Sequence, residues 1–190
     1  MKRINVVLVA CLSLMLWWGC GSEPKPEIPV ENKKVEAKNA PADRFAPEEL
    51  RAALPDDALL GLPRLSSSVG TPKMKDGVEI SMARRVFREG KKEVSFEIYD
   101  SGTLSSMMDS YVGWLNKPVD MNDKKWIEKR GTYDGFPSYE KYNKKTRSGE
   151  LHVLPNERFE IIIRGKNVEF EELRDALKKW NVSKSISKLK

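Results

Sequence analysis

The chain has 190 residues, 39% of them hydrophobic and 33% charged, and a formal net charge of +6. That balance excludes a wholly disordered chain and predicts one folded domain with appendages. Both cysteines, Cys11 and Cys20, lie in the first twenty residues, so nothing downstream can be held by a disulfide and the core must hold the fold.

Lys2 and Arg3 form a short positive start, and residues 4–18 are apolar apart from Asn5 and Ser13. Gly19, Cys20, Gly21 and Ser22 follow. A positive start, an apolar run and then small residues make a secretory signal layout. The run of about 15 residues is shorter than the ~20 that span a bilayer. Around Cys20 the sequence resembles the lipobox of bacterial lipoproteins, in which signal peptidase II cuts before a lipid-modified cysteine. Gly19 and the polar Gly21-Ser22 fit that pattern, while Trp17 stands where the family prefers Leu. Leu8-Val9-Ala10-Cys11 matches the box better and keeps Cys11 as an alternative. Cutting there leaves an apolar segment of about seven residues before the site, and Leu12 to Trp18 bare on the mature chain. The resemblance implies a signal peptide over 1–19, lipidation of Cys20 by palmitate-type chains, export, and a membrane anchor through covalent lipid. With Gly rather than Asp at 21, it implies the outer membrane if the host has one, and otherwise the outer face of the cytoplasmic membrane. One acyl chain holds marginally and two hold stably.

Residues 20–46 read as the lipidated cysteine and a flexible, disordered tether. Pro24, Pro26, Pro29 and Pro41 interrupt it, and Glu31, Lys33, Lys34, Glu36 and Lys38 keep it solvated. Too few apolar groups are present to offset the entropy of ordering.

Pro47 to Leu54 predicts a short helix, with Pro47 in the first turn, Glu48 and Glu49 at the positive end and Pro55 as the stop. Leu59-Leu60-Gly61-Leu62-Pro63 reads as a packed loop. Val78, Ile80, Met82 and Val86 alternate on one face with Arg84 interrupting, Glu89-Gly90-Lys91-Lys92 turns, and Val94, Phe96 and Ile98 alternate again: a hairpin over 78–100. Leu104, Met107, Met108, Tyr111, Val112 and Leu115 repeat at helical spacing. Trp114 lies one residue off that stripe, which predicts a half-exposed ring. Strands follow over Trp126–Tyr133, Ser138–Asn143, Leu151–Leu154 and Arg158–Arg164, with Asp134-Gly135 as a turn. A helix over 168–180 closes the pattern, with Phe170, Leu173, Leu177 and Trp180 on one face, and residues 183–190 read as a frayed basic tail.

The order predicts an α+β domain over 47–182, an antiparallel sheet of five to six strands with helices packed on one face. Its Gly-containing hairpins and closing strand–helix loosely resemble small bacterial lipoprotein domains, a resemblance that implies no activity.

His152 is the single histidine, too little for an ordinary metal site, and alternation in Leu151-His152-Val153 places it on the wet face of a sheet. Asp56-Asp57 and Glu171-Glu172 read as solubility and helix-dipole features. No phosphate-binding Gly-rich loop occurs, so neither a catalytic residue, a metal nor a cofactor is expected. The candidate surface is basic: Lys124, Lys125, Lys129, Arg130, Lys141, Lys144, Lys145 and Arg147, interleaved with Trp126, Tyr133, Phe136, Tyr139 and Tyr142. Such a combination can bind polyanions, although a sheet with one aromatic face and one charged face produces the same pattern. Export disfavours nucleic acid and favours an envelope polyanion, anionic lipid or a protein partner, with Lys184, Lys188 and Lys190 able to add to the patch. The expectation is a lipid-anchored cell-envelope protein acting as a non-enzymatic binding or interaction module. The alternative is a hydrolase acting on an envelope polymer, centred on His152 or a carboxylate.

Overall fold

The computed structural model describes residues 43–189 apart from 57–60, 75–76, 78, 103–112 and 115–118. The signal, the tether as far as Ala42, Cys11 and Cys20, and the expected helix around Leu104–Leu115 except Gly113 and Trp114, lie outside the described residues.

Helix α1 (Pro47–Ala53) begins as expected, with Pro47 in its first turn and the Glu49 carboxylate accepting the Ala46 N–H at 2.7 Å. Eight antiparallel strands follow: β1 (Arg64–Gly70), β2 (Ser81–Glu89), β3 (Lys92–Asp100), β4 (Asp120–Asn122), β5 (Trp126–Tyr133), β6 (Phe136–Asn143), β7 (Ser148–Val153) and β8 (Phe159–Lys166). Helix α2 (Phe170–Trp180) and the short α3 (Val182–Ile186) close the chain. All eight strands form one sheet in the order β1-β2-β3-β8-β7-β6-β5-β4.

The α+β class holds, but the sheet has eight strands rather than five or six. The two extra strands are its edges. β1 runs Arg-Leu-Ser-Ser-Ser-Val-Gly and β4 is Asp-Met-Asn. An edge strand is held by one backbone ladder and need not bury an apolar row, so it leaves no period-two signal.

One sheet face carries the core. Phe87, Val94, Phe96, Ile98, Leu151, Val153, Ile161 and Ile163 pack there against Leu173, Ala176, Leu177 and Trp180 of α2 and Leu50 and Ala53 of α1. In β2 the expected face is exchanged. Ala83 and Phe87 join this core, with Arg85 between them, while Met82 and Arg84 turn to the other side. The buried Arg85 guanidinium closes the C-terminal end of α1, donating to the carbonyls of Leu54 (3.1 Å) and Pro55 (2.5 Å) and to Asp56 (2.6 Å). Trp180 meets Phe96 edge-on at 5.3 Å and donates its indole N–H to Ala53 O at 3.1 Å, joining both helices to the sheet. Gly149 is required where it stands: a Cβ there would lie 2.3 Å from the Lys141 carbonyl oxygen.

Packing passes the expected 47–182 boundary on both sides. Phe45 stacks on Phe159 at 5.9 Å, and its N–H donates to the Asp100 carboxylate at 2.8 Å. Beyond α2, Asn181 adopts a left-handed conformation (φ 53°), and its side chain caps α3 by accepting the Lys184 N–H at 3.1 Å. The expected frayed tail thus begins as a helix with Val182 and Ser185 buried.

Candidate functional site: a buried ion chain and a basic pole

The second face of the sheet is polar, yet much of it is closed. Register aligns Arg84, Glu97, Ile162, His152, Tyr139 and Arg130 across six strands, with Ser95, Arg164, Glu150, Lys141 and Glu128 in the next row. Charges of opposite sign therefore fall side by side. Arg84 Nε lies 3.1 Å from Glu97, and Glu97 also pairs with Arg164. Arg164 Nε reaches Glu150 at 3.2 Å, Glu150 lies 3.5 Å from His152 Nε2, and His152 Nδ1 meets Glu160 at 2.8 Å. Ser95 and Tyr99 donate to Glu97 at 3.1 and 2.8 Å. Basic and acidic side chains alternate through all six members, with His152 a cation when protonated.

His152 is 7% exposed, against the expectation of a wet histidine. Alternation placed it correctly opposite the core. That side is covered, however: Trp114 stacks on Tyr139 at 5.5 Å and meets His152 edge-on at 5.9 Å. Trp114 is itself only 8% exposed rather than half-exposed, because its ring lies against Tyr139 and His152 on this second face. Packing is therefore not confined to one face.

Burial pulls the His152 pKa down, but the neighbouring Glu150 and Glu160 outweigh it and hold the imidazole above its ordinary value. His152 in turn, with Arg164, holds the Glu150 carboxyl down at about 2 despite its burial. Burial raises the Tyr139 hydroxyl strongly, aided by the Glu128 carboxylate that accepts its hydrogen bond at 2.5 Å. Both Glu150 and Glu160 lie against His152, beneath Trp114. The ion chain joins β2, β3, β8 and β7 by charge.

The predicted basic surface is divided. Lys129 faces the core side and pairs with Glu140 at 3.2 Å, and Arg147 pairs with Glu169 at 2.7 Å. Lys141 lies on the second face, 3.9 Å from Glu128. Arg130 is exposed and is engaged by a partner. The aromatics divide as well: Tyr142 is core, donating to Val168 O at 2.8 Å, Tyr133 and Phe136 pack against the same core, and Tyr139 lies under Trp114.

Lys124, Lys125, Lys144 and Lys145 remain together. They occupy two adjoining turns at one end of the sheet, joined by a Lys144 N–H to Lys125 O bond of 2.8 Å. All four are exposed, and none forms an ion pair with a carboxylate among the described residues. Asp123, the neighbouring acid, is exposed, and its carboxylate is bound by the backbone of its own turn. Its carboxylate accepts the N–H groups of Trp126 and Lys125, both at 2.6 Å, and these bonds lower its pKa. Lys144 donates to Asn122 Oδ1 at 2.8 Å and to the Asp123 carbonyl. Trp126 completes the pole, half-buried, with the ammonium groups of Lys125 and Lys141 at 5.8 and 5.9 Å from its ring. Lys184 and Lys188 do not belong to this group: Ser183, beside Lys184 in α3, donates to Asp134 at 2.8 Å, in the turn at the opposite end of β6, while Lys190 lies outside the described residues.

Among the described residues no group of His, Cys, Asp and Glu could hold a metal ion, and no helix is long and apolar enough to cross a membrane. Protein-family models, curated proteins and solved structures were all compared with this chain, and none matches it.

Proposed function

We propose that this chain is a lipid-anchored protein of a bacterial cell envelope whose folded domain is a non-enzymatic binding module for an anionic partner. The observation that carries the reading is the set of four exposed lysines at 124, 125, 144 and 145. Other cations of the sheet, including Arg84, Arg85, Arg88, Arg158 and Arg164, hold carboxylates of the domain itself. These four hold none among the described residues, so their charge is offered to a partner. The anchor rests on the lipobox-like sequence around Cys20. The hydrolase alternative draws no support from His152, which is enclosed beneath Trp114 and engaged by two carboxylates.

Metabolic labelling with palmitate tests the anchor. Cys20→Ser should abolish the label and release the chain to the soluble fraction, while Cys11→Ser should leave both unchanged. Loss of label from Cys11→Ser alone would move the anchor to Cys11.

A further inference from the structure

The chain enters its domain at one pole of the sheet and carries at the other four exposed lysines that form no ion pair among the described residues. Entry is fixed by Phe45, which stacks on Phe159 and donates to Asp100. Asp100 and Phe159 form the last register pair of β3 with β8, and Glu93 with Lys166 the pair at the far end. That far row continues through Ser148 and Asn143 to Trp126, beside the turns of Lys124, Lys125, Lys144 and Lys145. A nine-residue strand such as β3 separates the poles by roughly 27 Å. The stretch from Cys20 to Ala42 spans at most roughly 80 Å. A domain held by it can turn over and set the far pole on the bilayer that holds the anchor.

We infer that the pole formed by Lys124, Lys125, Lys144 and Lys145 docks on the anionic phospholipid headgroups of the membrane to which Cys20 tethers the chain, so that the domain lies down rather than standing off. The inference rests on the anchor reading and names its partner. Three features select a headgroup surface over other polyanions. The cations are lysines, compact charges that suit phosphate without needing a forked geometry. Trp126 lies among them, half-buried, with the amphipathic ring that settles at headgroup level. The tether also keeps the bilayer permanently within reach, so a weak contact is made in effect intramolecularly. Each lysine near an anionic surface strengthens adsorption by a factor of about five, and four by several hundredfold at low ionic strength. Among the described residues the large apolar side chain that stands exposed is Leu65, in the edge strand β1. Contact at the pole is thus electrostatic and reversible by salt.

Amine acetylation read by mass spectrometry tests this on the lipidated chain, reconstituted in phosphatidylcholine vesicles with and without phosphatidylglycerol. The four lysines should label about tenfold more slowly in the anionic vesicles than in the neutral ones, consistent with that adsorption factor. High salt should erase the difference, and the exposed Lys178 and Lys184 should label alike in both. Equal labelling of the four in both vesicles overturns the inference. So does protection by soluble polyphosphate without protection by phosphatidylglycerol, which would make a polymer the occupant. A chain that floats with neither kind of vesicle refutes the anchor reading, and the docking with it, and flotation in neutral vesicles separates that failure from the others.

Discussion

Replacing His152 with Gln removes one cation from the ion chain while keeping a polar side chain of similar size. His152 faces Glu150 on its own strand, which also holds Arg164 of β8, together with Glu160 on β8, Tyr139 on β6, and the ring of Trp114. Because its folded pKa lies above the unfolded value of 6.5, its contribution is complete below pH 6.5 and lost as pH rises through the folded value. Glu150, held at about 2 against an unfolded 4.5, contributes above pH 4.5 and loses that as pH falls toward 2. The cluster therefore stabilises most between pH 4.5 and 6.5. Taking one partner out of a buried ion pair costs about 3–5 kcal/mol. Partial exposure of Glu150 and Arg164 places this site at the low end, about 3 kcal/mol. For a domain of this size that is a drop of roughly 6–12 °C in Tm. Thermal melts by circular dichroism from pH 5 to pH 9 provide the assay. The wild type should lose stability as pH rises past 6.5. His152→Gln should be lower near pH 5.5, and the gap should close toward pH 9. A gap of constant size across that range would refute a charged His152 and reduce its role to packing.

Trp180→Ala and Trp114→Ala should both cost about 3–5 kcal/mol, since Trp180 joins α1, α2 and the sheet and Trp114 covers the ion chain; denaturant melts in which Trp114→Ala is neutral would contradict the closed second face. Gly149→Ala should prevent or severely weaken folding, because the obstructing atom is backbone. Gly165→Ala meets only Leu173 side-chain carbons, the nearest at 2.6 Å, and should cost less. The yield and melting point of the two variants decide between them.

Where one face buried an apolar row, the sequence disclosed the elements. β3 showed itself through Val94, Phe96 and Ile98, and α2 through Phe170, Leu173, Leu177 and Trp180. The Ser-rich β1 has no such row and was invisible. Arg84 looked like an interruption of a strand because the register was not yet known. Once β2, β3, β8 and β7 are aligned, Arg84, Glu97, Arg164, Glu150 and His152 fall beside partners of opposite sign. Charged residues recurring four apart on one strand face, Glu93 with Glu97 and Glu160 with Arg164, were the available signal, but they need strand order to be read. His152 was misplaced for a related reason: periodicity assigns a face but does not say what covers it, and here the cover is Trp114. Within the basic segment, composition counted eight cations alike, and only geometry separates the four at 124, 125, 144 and 145 from those engaged elsewhere.

Salt-dependent binding to phosphatidylglycerol vesicles tests most directly whether this pole, rather than net charge, meets an anionic partner. Two variants with the same charge change should be compared in the Cys20→Ser background, so that no acyl chain contributes. One carries Lys124→Gln, Lys125→Gln and Lys145→Gln; the other carries Lys178→Gln, Lys184→Gln and Lys188→Gln, all exposed and away from the pole. The first should bind roughly a hundredfold more weakly than its parent at low salt, about fivefold for each lysine removed, with its melting temperature unchanged. The second should bind almost as its parent does. Equal weakening of the two would show that the surface senses only total charge, and would contradict the account.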